Sequence, residues 1–234
     1  MRKHLRLIYM DSRWLVIWVL IYVTFLVLDI ALPVFWGSAL LKYIGIFLCI
    51  IYANQKYNKD YNLQLALLFT FLADTILVWT PYAIVGVYIF CIAQFLHLTR
   101  LTKLSNIALA SYAMILTFIF GICVALGLEP FYAIATVYAI ELISNVTISA
   151  QRYSSEQKSF RARCGFYGFI AFLCCDICVA LRFLAMQGSL PDNIIPLVAY
   201  LVWVFYYPSQ VLIANSSTME PSGRRRFAKN NGIR

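Results

Sequence analysis

Apolar runs of about twenty residues recur along the chain, separated by short polar gaps. Each is long enough to cross about 30 Å of hydrocarbon as an α-helix. The first span is expected over 14–36, with Pro33 and Gly37 as stop signals, and the second over 38–53. A polar gap, 54–62, precedes span three at 63–79; Thr80-Pro81 then turns the chain into span four at 82–98. Span five is expected over 106–126 and span six over 131–150, joined by a turn from Gly127 to Pro130. A charged loop, 151–163, leads to span seven at 164–186, and Pro191 opens the way to span eight at 194–214. The pattern is that of an all-α polytopic membrane protein with eight transmembrane helices.

Composition agrees with the pattern. Of the 234 residues, 62% are apolar and 12% charged, against about 25% charged in soluble proteins. Residues 1–215 read as a single eight-helix transmembrane domain, and 216–234, rich in Ser, Gly, Asn and Arg, as a disordered basic tail. The net charge of +9 does not point to nucleic acid, because the basic residues sit in gaps between apolar runs. Numbered along the eight spans, those gaps all fall on one side; only Lys42 and Arg182 lie inside spans. Basic loops mark the cytoplasmic face, so both termini are expected there, in the cell's cytoplasmic membrane. Arg224, Arg225 and Arg226 serve as a topology anchor or touch anionic lipid headgroups. The apolar stretch 14–35 exceeds a signal-peptide core and no small-residue cleavage site ends it, so it is expected to remain as a span.

Six ionisable residues lie in spans: Asp29, Lys42, Asp74, Glu141, Asp176 and Arg182. Asp29, Lys42 and Arg182 sit near outer ends, where a structural role and a ligand contact both fit. Asp74, Glu141 and Asp176 are deeper. At roughly 2.5–3.5 kcal/mol each, three such acids must face one another, a cation or a wet cavity. Tyr138, Glu141, Ser144 and Asn145 form a polar stripe on span six; Tyr206, Tyr207 and Gln210 form one on span eight, where Pro208 frees a carbonyl of the preceding turn. Span four offers Gln94 and His97. Any one of these can also serve simply to join helices. Cys175-Asp-Ile-Cys178 spells CxxC, but on a continuous apolar helix packing explains it better than redox or metal chemistry. Phe71-Leu-Ala-Asp74 and Phe172-Leu-Cys-Cys-Asp176 form a faint internal echo, compatible with duplication of a four-helix unit.

The stretch Gly168-Phe-Ile-Ala-Phe-Leu-Cys-Cys-Asp-Ile-Cys-Val-Ala-Leu-Arg-Phe183, followed by Tyr206-Tyr-Pro-Ser-Gln-Val-Leu-Ile-Ala214, resembles the C-terminal signature of the YhhN-like lysoplasmalogenase family. Ala73-Asp-Thr-Ile-Leu77 with Gly86-Val-Tyr-Ile-Phe90 resembles its upstream block. Ala73 stands in place of the usual Gly, Gln94 in place of a His and His97 in place of a common Tyr, and Lys42 is followed by Tyr43 rather than Pro. The resemblance implies eight spans and an intramembrane hydrolase that cleaves the vinyl ether of lysoplasmalogens to a fatty aldehyde and a glycerophospho-headgroup. It implies Asp74 and Asp176 as the catalytic acids.

Two carboxyls suit that reaction. Protonation at carbon gives an oxocarbenium ion that water attacks, so one group must deliver a proton while the other stabilises the cation or activates water. The logic is that of paired glycosidase carboxylates. Lys42 and Arg182 are candidate contacts for the substrate phosphate. Gln94, Glu141, Tyr207 and Gln210 are candidate supporting or water-positioning groups. No cofactor is required, and the single deep His lacks a second ligand at metal spacing. The expected partners are a lysophospholipid substrate and the bilayer. Two alternatives use the same acids differently: a non-catalytic lipid-binding member, since Gln94 lacks the acid–base capacity of His, and a proton-coupled transporter. An intramembrane aspartyl protease fits poorly, because no Gly-x-Gly-Asp surrounds either acid.

Overall fold

The structure is a computed structural model that describes residues 12–32, 36–102, 104–156 and 159–218. Helices α1 (Ser12–Ala31), α2 (Trp36–Lys56), α3 (Tyr61–Trp79), α4 (Ala83–Leu101), α5 (Asn106–Ala125), α6 (Pro130–Ser155), α7 (Phe160–Met186) and α8 (Ile195–Ala214) follow in order, with a 3-10 turn at Asp192–Ile194 before α8. Among the described residues, eight helical segments are long and apolar enough to cross a membrane. Their outward apolar surface, including Ile107, Met114, Phe118 and Leu126 on and beside α5, would be a liability in water and suits lipid.

The structure departs from the hydropathy pattern most clearly around Trp36, over 151–163 and just beyond α8. Trp36, expected at the end of span one, opens α2. The expected loop 151–163 is mostly helical, because α6 continues to Ser155 and α7 begins at Phe160 behind Ser159, whose Oγ accepts from the Ala162 amide. Hydropathy marks only the part of a helix that sits in hydrocarbon; the backbone ladder continues past it for as long as caps and pairs support it. Ser216 and Ser217, placed at the start of the tail, are fully buried. Ser217 Oγ donates to Asp60 Oδ2 at 2.7 Å and the Thr218 amide donates to the same oxygen at 3.3 Å. Asp60 Oδ1 also caps α3 by accepting from the Leu63 amide at 3.2 Å. The rest of the expected tail, 219–234, lies outside the described residues, as do Pro33, one of the expected stop signals, and the basic gap residues Arg2, Lys3, Arg6, Lys103 and Lys158.

The chain divides into two compact units. The first comprises the described residues of 1–51 and 152–216, hence α1, most of α2, α7 and α8; the second comprises 52–151 with 217 and 218, hence α3 to most of α6. In each unit the helix bearing a deep Asp packs most extensively on its successor: α7 on α8, α3 on α4.

In the first unit, Gly168 lets α7 approach α8 closely, since a Cβ there would lie 2.9 Å from the Ile213 side chain and 3.1 Å from its backbone nitrogen. Gly45 on α2 does the same for a single ring. A Cβ on Gly45 would overlap the Tyr207 ring, so the missing side chain is what admits that ring. Pro208 sits inside α8 and lacks the N–H that would bond the carbonyl four residues back. That carbonyl belongs to Val204, and the Tyr22 hydroxyl of α1 donates to it at 3.0 Å.

In the second unit, the order of contacts gives helix direction. Phe90 packs on Tyr138, and further along both helices Gln94 meets Asn145, so α4 and α6 run the same way. Tyr112 meets Ser144, whereas Leu116, a turn later, clusters with Ile134 and Val137; α5 therefore runs against α6. Alternating directions are what successive crossings require.

Tyr22→Phe should orphan the Val204 carbonyl and destabilise the protein by about 1–3 kcal/mol. In a Pro208→Ala background, where the new alanine supplies the missing N–H, the same change should cost markedly less. Unfolding of the four variants in detergent, analysed as a double-mutant cycle, checks this; equal costs in the two backgrounds refute the pairing.

Candidate functional site

The residues singled out in the sequence divide between the two units. Lys42, Asp176, Arg182, Tyr207 and Gln210 belong to the first; Asp74, Gln94 and Glu141 belong to the second.

In the first unit, Asp176 is half-buried on α7. One turn before it, Phe172 meets the ring of Tyr206 on α8 edge-on at 5.6 Å. Tyr207 is buried against two helices, α1 and α2: it stacks on Tyr22 at 5.5 Å, meets Phe25 edge-on at 5.2 Å and fills the gap at Gly45. Its hydroxyl is buried without a hydrogen-bond partner, as is Gln210 Oε1, one turn along α8. Gln210 Nε2 donates to Ser209 Oγ at 3.4 Å. The signature Tyr206–Gln210 thus supplies packing through its rings and leaves one hydroxyl and one carbonyl oxygen with unused hydrogen-bonding capacity.

Lys42 is buried and does not snorkel. Its Nζ donates to Asp29 Oδ1 at 3.0 Å and lies 2.7 Å from Oδ2, while Ser38 Oγ donates to the same carboxylate. The ammonium also lies 4.7 Å from the Trp203 ring centre and 5.5 Å from that of Phe25, within cation–π range. With two of its three protons directed at Asp29, Lys42 retains one for any phosphate. Arg182 is exposed on α7. Six residues of helix turn through about 600°, so Arg182 and Asp176 point to different sides of α7.

In the second unit, Asp74 is half-buried on α3, one turn after Thr70, whose Oγ1 is buried without a partner. Ala73 and Gly86 mark the close approach of α3 and α4, because a Cβ on Gly86 would lie 3.4 Å from the Ala73 carbonyl oxygen and 2.6 Å from Leu77. Gln94 is fully buried. Asn145 Nδ2 donates both to its main-chain oxygen and to its Oε1, each at 2.9 Å. Glu141, one turn before Asn145, is 3% exposed and lies beside the Cys91 thiol, one turn before Gln94. His97, a further turn along α4, accepts at Nδ1 from Arg100 Nε at 3.1 Å, which places its own proton on Nε2. Arg100, one of the basic residues assigned to the gaps from the sequence, lies on α4 itself and is buried. Among the described residues, no three His, Cys, Asp or Glu side chains are placed to share a metal ion.

Sequence reasoning missed two features. Asp60 looked like part of a polar gap, although Asp60-Tyr-Asn-Leu63 has helix N-cap spacing. The Asp29–Lys42 pair was read as two separate residues, although opposite charges near adjoining ends of consecutive antiparallel helices are well placed to meet.

Eight apolar helices of spanning length among the described residues, with buried polar side chains between them, define a polytopic α-helical integral membrane protein. The chain belongs to the YhhN family, whose model matches residues 36–217. No curated protein and no solved structure matches it.

Asp29→Asn leaves the Lys42 ammonium among aromatic rings without a counter-charge and should destabilise the protein by on the order of 2–3 kcal/mol. Adding Lys42→Met should recover most of that loss. Denaturation in micelles decides; a double variant no more stable than Asp29→Asn alone refutes the pair as a mutual neutralisation.

Proposed function

We propose that the chain is an intramembrane hydrolase of lysoplasmalogen-type lipids in the cytoplasmic membrane. It cleaves the vinyl ether to release a fatty aldehyde and a glycerophospho-headgroup, with Asp74 and Asp176 as its catalytic carboxyls. The observation that carries this reading is that the family match spans both acids, each held half-buried on a spanning helix. A carboxyl in such a setting has a use beyond helix joining.

In the proposed reaction, one carboxyl adds a proton to the vinyl carbon remote from oxygen, and the oxocarbenium ion that results is stabilised by the second. Water adds to the cationic carbon, and the hemiacetal collapses to the aldehyde and the glycerol hydroxyl, returning the proton. Lys42 and Arg182 are proposed contacts for the headgroup phosphate, Arg182 from an exposed position and Lys42 with its remaining N–H. Gln94, Glu141, Tyr207 and Gln210 are proposed positioning groups. The locked amide of Gln94 favours positioning over proton transfer, since an amide does not titrate.

Purified protein in micelles should release aldehyde from a lysoplasmalogen, and Asp74→Asn or Asp176→Asn should lower the rate by about 10²–10⁴-fold. Full activity in both variants rules out the mechanism. Substrate-dependent proton flux in liposomes with no product formed favours the transporter reading instead.

A further inference from the structure

Three buried side chains of the second unit retain hydrogen-bonding capacity at one place. Gln94 on α4 faces Asn145 on α6 directly, and Glu141 lies one turn before Asn145 on the same face of α6. Gln94 Nε2, Glu141 Oε2 and Asn145 Oδ1 are each buried without a partner, in residues that are 0%, 3% and 0% exposed. In hydrocarbon such atoms are costly, because no bulk water can satisfy them.

The orientation of the two amides is determined by their contacts. Asn145 Nδ2 donates to the main-chain oxygen of Gln94, so the nitrogen of Asn145 cannot be exchanged with its oxygen; the same nitrogen donates to Gln94 Oε1, which identifies the remaining Gln94 atom as N–H. The cluster therefore presents one donor, Gln94 Nε2, and two acceptors, Glu141 Oε2 and Asn145 Oδ1. A cation is a poor match, since the Gln94 N–H would point at it. A hydroxyl matches, because its oxygen both accepts and donates.

We propose that Gln94, Glu141 and Asn145 form a hydroxyl-binding site between α4 and α6, accepting from the bound group through two oxygens and donating to it through one amide. Two sources share this chemistry: a buried water, which needs two to four polar partners, and the free hydroxyl of a one-chain glycerolipid. The lipid source rests on the functional reading above; the water source is independent of it. In the lipid case the site selects one-chain over two-chain lipids, because masking the hydroxyl leaves the buried polar atoms unmatched.

The test is a reciprocal swap in the full chain. Gln94→Glu removes the amide donor and Glu141→Gln alters one acceptor, both without changing side-chain shape. The double variant Gln94→Glu/Glu141→Gln restores one amide and one carboxyl in exchanged positions. The probes are a saturated 1-O-alkyl glycerophospholipid with a free 2-hydroxyl, which cannot be cleaved as a vinyl ether, and its 2-O-methyl counterpart. Binding and thermal stability are measured in micelles. If the site holds a lipid hydroxyl, the wild type prefers the free-hydroxyl probe by at least about tenfold, each single variant loses that preference and the double variant regains it. If it holds water, the probes bind alike, the single variants melt lower and the double variant recovers. Both outcomes support a hydroxyl site. Single variants that change neither readout, or a double variant that recovers neither or fails to fold, overturn it. No readout requires turnover, so failure of the proposed hydrolysis is scored separately.

Discussion

Hydrocarbon offers a polar atom no partner, so each one carried into a span must find its match elsewhere in the chain. The bond from Tyr22 to the Val204 carbonyl shows how far this constraint reaches. Pro208 opens a gap in the hydrogen-bond ladder of α8, and a hydroxyl from α1 closes it. The ring that carries this hydroxyl also stacks on Tyr207, and Tyr207 in turn occupies the space left by Gly45. One backbone irregularity thereby specifies how α1, α2 and α8 meet, through residues that would otherwise pack interchangeably with lipid.

The same constraint sorts the ionisable residues. Lys42 and Asp29 neutralise each other within a setting of rings, so their charge is resolved inside the first unit. Arg100 lies against His97, and Asp60 holds both the start of α3 and the chain just beyond α8. Gln94 and Glu141 differ from these. Each keeps a buried polar atom with capacity left over, and that surplus distinguishes a candidate site from helix-joining contacts.

Much of the fold was legible because hydropathy reports directly on hydrocarbon thickness. All eight helices lie where apolar runs of spanning length occur, and the freed carbonyl at Pro208 follows from proline chemistry alone. Helix ends were less legible: α6 and α7 run well past their apolar stretches, supported by the Ser159 cap and the stacking of Tyr153 on Phe166. Candidate site residues were visible one at a time, as expensive polar groups in apolar surroundings, with Asn145 as readable as Gln94. Their pairing was not, since Gln94 and Asn145 are 51 residues apart and nothing local in either helix encodes the match.

By itself the sequence determined the number of spans, the membrane setting, the acids that need explaining and the family motifs around Asp74 and Asp176. Each depends on local composition against a uniform solvent of known thickness. Only the tertiary structure decided who partners whom: Tyr22 with Val204, Lys42 with Asp29, Asp60 with Ser217, and Gln94 with Asn145. In lipid the hydrophobic effect does not rank helix pairings, so that choice falls to shape and a few hydrogen bonds, which exist only once distant segments are side by side.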